Sequence, residues 1–160
     1  MPVGRFLGGI SALIWNPATD AYLILRRSMT KDVGAGHWEC VTGRVDQGEG
    51  FEDALHREVR EELGVEARVE FIIGVTHFYR GDPAPENELL GVHFCCAIDD
   101  PDAISISAEH DAHQWVTAED AYALLGDDHW LAQVIRRAQA LRTLMPPALI
   151  EFNRNHPLEI

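Results

Sequence analysis

The chain has 160 residues, of which 13 are Lys or Arg and 26 are Asp or Glu, so its formal net charge is −13 at pH 7. Such an acidic protein repels nucleic-acid backbones and anionic lipid surfaces, because binding to either depends on Lys and Arg side chains. The length fits one domain, and a content of 46% hydrophobic residues is ordinary for a globular protein, so disorder is not favoured. A phosphate-bearing ligand would need a cation between itself and this protein.

The three cysteines, Cys40, Cys95 and Cys96, are too few and too irregularly spaced for a disulfide framework. We predict that they are buried thiols. The first residues lack the charged start, apolar run and cleavage site of a signal peptide, and no segment approaches the roughly 18 apolar residues of a membrane span. The expected location is the cytoplasm, and no membrane or nucleic-acid partner is expected.

Strand signals dominate the first forty residues. Phe6 to Trp15 is an apolar run that ends at the turn-forming pair Asn16-Pro17, and a second run from Ala21 to Leu25 follows. Together they predict a β-hairpin. Residues 31–50 are rich in glycine and predict a loop that contains one short strand.

A helix is predicted next, because Phe51, Leu55, Val59 and Leu63 recur every four residues and Gly64 follows them as a C-terminal glycine. Residues 65–79 and 89–98 predict two antiparallel strands joined by a polar turn. A short strand is expected around residues 115–116, then a helix over 118–125 that begins after a capping threonine, and a last helix over 129–144. The tail from 147 to 160 is left unassigned, and the absence of repeats and linkers predicts a single domain over residues 1–160.

The predicted helix carries carboxylates on the side that should be buried. At about 100° per residue, Glu58, Glu61 and Glu62 fall within an arc of roughly 100° that overlaps the arc of Ala54 and Leu55. Like charges repel and burial raises that cost, so the fold must supply positive charge there. A divalent cation is the natural supply, and oxygen ligands suit Mg²⁺ or Mn²⁺ rather than zinc.

The alternative is a solvated acidic face on a surface helix, because glutamate is a good helix former. On the helical wheel, however, Asp53, His56, Arg57 and Arg60 lie on the opposite side and already give the helix a polar face for water. The glutamates on the inner side then need another explanation.

Residues 43–65 resemble a known signature. Gly43-Arg-Val-Asp-Gln-Gly-Glu49, seven further residues and Arg57-Glu-Val-Arg-Glu-Glu-Leu-Gly-Val65 match the Nudix box, G-x5-E-x7-R-E-U-x-E-E-x-G-U with U apolar, at every specified position. The chain is therefore similar to the Nudix hydrolase family, and the strand arrangement extends the likeness to most of residues 5–140. The resemblance implies an α/β (α+β) Nudix fold, a mixed β-sheet sandwiched between α-helices.

The resemblance also implies an enzyme that uses Mg²⁺, or Mn²⁺ as a substitute, to hydrolyse a pyrophosphate bond in a nucleoside diphosphate linked to another group. Carried over by position, Glu58 and Glu62 are the main metal ligands and Glu61 is a further ligand, directly or through water. The backbone carbonyl of Gly43 completes the shell. Homodimers are frequent among family members, so a homodimer is a family-level expectation.

Other roles follow from the same resemblance. Glu49 and Arg57 resemble a structural ion pair that braces the loop against the helix. Glu62 and Glu109 are the two candidates for the general base, and Glu61 is a further candidate catalytic residue. Glu109, six residues before Trp115, is similar to an extra metal-binding glutamate of MutT-like members. It could instead be a solvated loop acid, and the acids at positions 86 and 88 are rival contributors.

Two residues are candidate substrate contacts. Arg27 resembles an arginine that reaches substrate phosphate in relatives, although a surface charge paired with the acidic excess would look the same. Tyr79 is the candidate for contact with the nucleoside, since aromatic rings stack on bases; aromatic residues on strands, here Trp38, Phe78, Tyr79 and Trp115, are nevertheless more often core. His110 and His113 are expected on a loop without a cysteine partner, which does not favour zinc.

The substrate class rests on weaker signals. Val41-Thr42-Gly43 replaces the Pro-Gly common before the box in MutT-like enzymes, and it resembles the form in dihydroneopterin triphosphate hydrolases. The downstream proline or tyrosine that marks enzymes for ADP-ribose or diadenosine polyphosphates is not found. A nucleoside triphosphate or a related small nucleotide is expected. The alternative is a Nudix-like nucleotide-binding or sensing module without catalysis; such modules typically lose box carboxylates, all of which this chain keeps.

Overall fold

A mixed β-sheet with helices on both faces organises the protein. The computed structural model describes residues 4–31 and 33–160, and within them it has seven strands and four α-helices. The strands are β1 (Leu7–Asn16), β2 (Ala21–Arg27), β3 (Trp38–Glu39), β4 (Val41–Val45), β5 (Ala67–Tyr79), β6 (Glu88–Ile98) and β7 (His110–Val116). The helices are α1 (Phe51–Leu63), α2 (Ala118–Leu125), α3 (Trp130–Leu144) and α4 (Pro147–Asn155).

The sheet runs in the order β3-β2-β1-β6-β5, with β4 paired to β1 and β7 paired to β2. The β1–β6 pair is parallel and the other pairs are antiparallel. The parallel pair at the centre requires a long connection between its strands, and the segment containing α1 lies within that connection. This mixed sheet between helices confirms the predicted fold class.

Two core layers form because successive strand residues point to opposite faces. On β1, Ala12 and Ile14 pack with the apolar side of α1, whereas Leu13 packs with α2 and α3. On β6, Cys96 faces the α1 layer and Cys95 the other. Both of these cysteines and Cys40 are buried free thiols, as predicted.

Most predicted elements are confirmed. The first helix spans Phe51–Leu63, and Gly64 ends it in the left-handed conformation with φ 69°. The β1–β2 hairpin and the antiparallel β5–β6 pair are both present. Thr117 caps α2, because its hydroxyl accepts a hydrogen bond from the backbone of Asp120 at 3.1 Å.

Two segments differ from their predictions. The glycine-rich region holds two strands, β3 and β4, rather than one. The short strand expected around residues 115–116 begins earlier, at His110, because the whole segment pairs with β2. The histidines at 110 and 113 therefore lie on a strand, and the expectation of a loop was wrong.

The unassigned tail forms α4 and is anchored by a buried ion cluster. Glu70 on β5 has a fully buried side chain and accepts hydrogen bonds from Arg142 of α3, at 2.7 Å, and from Arg154 of α4. The Asn153 side chain donates to the Glu70 carbonyl at 2.8 Å. One buried carboxylate thus ties both C-terminal helices to the sheet.

The last residues return to the start of α1. The Glu52 backbone N–H donates to the Glu159 carboxylate at 3.3 Å, and the Glu159 N–H donates to the Glu52 carboxylate at 2.8 Å. Leu158 packs against the α1 core layer. Gly50, which precedes α1, has no side chain to cap the helix, so Glu159 occupies the place of a cap.

Of the helices that the structure describes, none has the length and apolar character needed to cross a membrane.

Candidate active site

A cleft of about 1200 Å³ brings together most of the predicted site residues. Its lining includes the three box glutamates, the glycine that begins the box, the candidate base and the candidate phosphate ligand, namely Glu58, Glu61, Glu62, Gly43, Glu109 and Arg27. These residues come from four different segments of the chain. The cleft is therefore a product of the tertiary fold rather than of the box alone.

Gly43 lies directly against Glu58. A β-carbon at Gly43 would lie 2.1 Å from Cδ of Glu58 and 2.3 Å from its Oε1, far closer than non-bonded atoms allow. Gly43 is held on β4 by its register opposite Ile10 of β1. The absence of a side chain at this position is what lets the Glu58 carboxylate reach the backbone of the strand.

Glu62 is the most deeply buried of the box glutamates, with a residue exposure of 5%. Burial raises its pKa to about 9, and the nearby charges of Glu39, Glu58 and Glu109 add to the increase. Its Oε2 atom has no hydrogen-bond partner among the described residues. A buried oxygen in this state calls for a proton or a cation, because an isolated buried carboxylate is costly.

Glu58 is partly buried, and burial raises its pKa above the ordinary value while Arg57 opposes the increase. The Arg57 guanidinium donates to Glu58 Oε1 at 2.6 Å and lies 3.6 Å from Glu61. The fold therefore supplies one positive charge to the carboxylate cluster from within the helix itself. The expectation that Arg57 belongs to the solvent face was wrong, because its long side chain turns back toward the loop before α1.

The structural ion pair between Arg57 and Glu49 is confirmed. Arg57 donates to both Glu49 carboxylate oxygens at 2.9 Å, and it also donates to the Arg44 carbonyl at 2.9 Å. These hydrogen bonds lower the pKa of Glu49 to about 2. A bidentate pair of this kind fixes the loop geometry before the helix.

Glu61 differs from its predicted environment. Its side chain is 60% exposed, whereas the helical wheel placed it on the inner side with Glu58 and Glu62. The reason is its place at the edge of that arc, where the cleft opens to solvent. Glu61 still lines the cleft, so it lies at the rim rather than at the base.

The donor groups fit a hard divalent cation. Within residues 4–31 and 33–160, no three His, Cys, Asp or Glu side chains already form a metal-binding set. Mg²⁺ does not require one, because it usually takes one or two carboxylates and keeps several waters or phosphate oxygens. Glu58, held against Gly43, and the unpartnered oxygen of Glu62 offer oxygen ligands of this kind.

Glu109 and Arg27 line the cleft from outside α1. The Glu109 carboxylate is 51% exposed and 3.0 Å from Lys31 Nζ, and its backbone carbonyl accepts a hydrogen bond from Ser28. Arg27 donates to Glu39 at 3.0 Å and to the Val33 carbonyl at 3.0 Å. Both side chains are positioned by their contacts yet remain accessible from the cleft.

Tyr79 does not line the cleft. Its ring lies edge-on to His77, with centroids 5.8 Å apart, whereas Phe78 and Arg80 line the cleft because alternate residues of a strand face opposite sides. The position of Tyr79 gives no support to its predicted role in substrate binding. The acids at positions 86 and 88 are also absent from the lining.

The other aromatic residues divide between the cleft and the core. Phe78 is exposed and lines the cleft, so the expectation that strand aromatics belong to the core was wrong for it. Trp38 lines the cleft and also packs against the core layer that contains α2 and α3. Trp115 is partly buried and packs against the α1 core layer, as that expectation has it.

Sequence reasoning missed Glu39 and assigned no role to His110. Both are buried, and His110 Nε2 lies 2.8 Å from Glu39 Oε1. The two residues are far apart in the chain and meet only because β3 and β7 both pair with β2. No local spacing could have joined them.

Comparison with known proteins agrees with the geometry of the site. The family model described as "NUDIX domain" matches residues 6–138. The chain is 34% identical over 112 residues to the nucleoside triphosphatase NudI of Klebsiella pneumoniae, covering 62% of this chain and 74% of that one. It is 31% identical over 107 residues to the NudI of Escherichia coli O81, covering 62% and 75% of the two chains.

Solved structures share the fold. A MutT protein from Methanosarcina mazei has a TM-score of 0.72 at 23% identity, covering 89% of this chain and 99% of that one. The E. coli dihydroneopterin triphosphate pyrophosphohydrolase has a TM-score of 0.61 at 24% identity, covering 83% and 96%. The match over residues 6–138 and the similarity to NudI show that this chain belongs to the NUDIX family and is a Nudix pyrophosphohydrolase.

Proposed function

We propose that this chain uses Mg²⁺, or Mn²⁺ in its place, to hydrolyse a pyrophosphate bond in a nucleoside triphosphate or a related small nucleotide. The observation that carries the proposal is the pair of inward carboxylates, with Glu58 pressed against Gly43 and Glu62 buried with an unpartnered oxygen. The similarity to two proteins named as nucleoside triphosphatases supports the choice of substrate class.

Glu58, Glu62 and the Gly43 carbonyl would hold the cation, with Glu61 at the rim as a further ligand. When bound, the cation offsets phosphate charge and makes a coordinated water more acidic. The chain itself has a formal charge of −13, so an anionic substrate would otherwise be repelled.

Arg27 is proposed to bind a substrate phosphate. Its guanidinium is already oriented by Glu39 and the Val33 carbonyl, so little side-chain entropy remains to be lost on binding. Glu109 or Glu62 would take the proton from the attacking water. Glu109 is the more accessible of the two, with half of its side chain exposed at the cleft.

The experiment is a panel of nucleoside triphosphates and related nucleotides, assayed for released pyrophosphate or phosphate with Mg²⁺ and with chelator. We expect turnover of at least one nucleotide with Mg²⁺ and none with chelator. Glu62→Gln should lower kcat by about 100-fold or more with an unchanged circular dichroism spectrum, whereas Glu119→Gln on the exposed side of α2 should not change kcat. Near-normal Mg²⁺-dependent turnover by Glu62→Gln would refute the assignment.

The remaining parts of the proposal concern the setting of the enzyme. We infer that it acts in the cytoplasm on a small-molecule nucleotide, that it does not bind nucleic acid, and that residues 1–160 form one domain. A homodimer is proposed from the family expectation alone, and light scattering of the purified protein tests it. A monomer at micromolar concentration would contradict that part without affecting the catalytic proposal.

A further inference from the structure

A row of polar side chains connects the lining of the cleft to Glu62 through one fully buried histidine. Arg27 Nη1 donates to Glu39 Oε1 at 3.0 Å, and His110 Nε2 donates to the same oxygen at 2.8 Å. On the far side of the ring, His110 Nδ1 lies 4.0 Å from Glu62 Oε2. The row thus connects β2, β3, β7 and α1 through direct neighbours.

The last step of this row is unusual because both of its atoms lack partners. In the part of the chain that the structure describes, the buried side-chain nitrogens and oxygens without a hydrogen bond are Glu62 Oε2, His110 Nδ1 and Arg142 Nε. Buried polar atoms are nearly always paired, so two of the three exceptions lying next to each other is a feature to explain. A small rotation of Glu62 would bring the 4.0 Å separation within hydrogen-bond distance.

The burial of His110 limits what it can do. Its side chain is completely buried, so it cannot touch a substrate in the cleft. The bond from Nε2 to Glu39 fixes the plane of the ring, and this leaves Nδ1 directed toward Glu62. Glu39 in turn has only 11% of its side chain exposed. Arg27 holds the oxygen that His110 contacts, and the Thr42 hydroxyl donates to the other oxygen, Oε2, at 3.4 Å.

We propose that His110 is a positioning residue, which Glu39 orients and which holds the Glu62 carboxyl group through one proton shared between Nδ1 and Oε2, so that the other oxygen of Glu62 faces the cleft. This inference rests on the proposed function, in which Glu62 is a metal ligand or the base. Because Glu39 also orients Arg27, the same buried carboxylate aligns the phosphate-binding arm and the carboxylate at the base of the cleft.

Two conservative variants separate the two sides of the ring. The amide of Gln reaches approximately the place of Nε2, so His110→Gln keeps the contact with Glu39 and loses the one toward Glu62. The amide of Asn lies near the place of Nδ1, so His110→Asn keeps the group facing Glu62 and loses the bond to Glu39. We expect His110→Gln to lower kcat about tenfold or more with little change in KM, and His110→Asn to raise KM with kcat within about threefold.

A second readout does not depend on turnover. The affinity of each variant for Mn²⁺ alone is measured by electron paramagnetic resonance without substrate. It should fall about tenfold in His110→Gln and stay within about threefold of the wild-type affinity in His110→Asn. His113→Gln is the matched control, because His113 is exposed on the same strand, and it should leave kcat, KM and Mn²⁺ affinity unchanged. Equal losses in both His110 variants would overturn the proposal, since a residue that only fills space does not distinguish the two sides of its ring.

A further test uses the wild-type protein and does not depend on whether the variants fold. With ¹⁵N-labelled histidine, addition of Mg²⁺ alone should shift the Nδ1 resonance of His110 and leave the ring of His113 unchanged. An unchanged His110 resonance at saturating Mg²⁺ would overturn the inference. The nucleotide panel keeps the two proposals separable. If the wild type turns over a nucleotide but His110→Gln and His110→Asn lose activity equally, only the proposed role of His110 is removed. If the wild type turns over no nucleotide, the proposed function itself is removed.

Discussion

The α-carbon of Gly43 lies so close to Glu58 that any added β-carbon would come within 2.1 Å of the glutamate Cδ. Gly43→Ala must therefore displace the Glu58 carboxylate or bend β4. We expect kcat to fall by about 100-fold or more, because positioning errors of about 1 Å can cost that much. Steady-state assays on the best substrate of the panel measure it.

The control for this change is Gly74→Ala on β5. A β-carbon there would meet Arg137 at 3.5 Å, an ordinary contact, and Gly74 has no φ in the glycine-favouring region. We expect kcat to stay within about threefold of the wild-type value. If Gly43→Ala retained full turnover, the contact between Gly43 and Glu58 would have no part in catalysis.

The stability of the metal-free protein should decrease as pH rises. The pKa of Glu62 is about 9 in the folded state against 4.5 in the unfolded chain, so between these values the folded state binds a proton that the unfolded state does not. Stability then falls with rising pH, by up to about 1.4 kcal/mol per pH unit from this group. Urea unfolding in chelator between pH 5.5 and 8.5 measures the slope.

Glu62→Gln supplies the matched comparison for the pH series. The amide cannot ionise, so the variant should show a flatter profile and should be more stable than the wild type near pH 8 without metal. The raised pKa of Glu58 also makes stability fall as pH rises, so some dependence of stability on pH will remain in the variant. Identical slopes in the two proteins would show that Glu62 is not the titrating group.

Arg27→Lys should weaken substrate binding more than chemistry. Lysine keeps the positive charge but lacks the planar guanidinium that donates to Glu39 and to the Val33 carbonyl at the same time. We expect KM to rise about tenfold and kcat to change by less than about threefold. Arg26→Lys is the control, since Arg26 is bonded to Asp111 at 2.6 Å and does not line the cleft; an equal rise in KM there would remove the specific role of Arg27.

Glu70→Gln should destabilise the protein strongly. Glu70 is completely buried and pairs with Arg142 and Arg154, so the change leaves a buried guanidinium without its counter-charge. The expected loss is about 3–5 kcal/mol in the free energy of unfolding, measured by urea titration. Glu151→Gln removes an exposed pair with Arg154 and should cost about 1 kcal/mol or less; comparable losses in the two variants would contradict the role of the buried cluster.

Features set by local spacing could be predicted from the sequence. The bounds of α1 follow from a four-residue apolar repeat and a terminal glycine, and the inward direction of Glu58 and Glu62 follows from the same period. The Glu49–Arg57 pair could be predicted because the box fixes its separation in the chain.

Features that depend on contacts between distant segments could not be predicted from the sequence. The exposure of Glu61 depends on where the cleft ends, which the helical wheel does not contain. Glu39 and His110 meet through pairing of β3 and β7 with a common strand. The α4 helix has no buried residue, and its attachment depends on a charge pair with Glu70 on β5, a residue far away in the chain.

The reciprocal hydrogen bonds between Glu52 and Glu159 join the beginning of the carboxylate-bearing helix to residues beyond the matched region 6–138. Two carboxylates gather at the positive end of that helix dipole, where negative charge is favourable. Strain applied to the carboxyl end of the polypeptide, by a fused tag or by immobilisation, would be transmitted to the helix that presents Glu58 and Glu62. Tags attached at the amino end avoid this mechanical coupling.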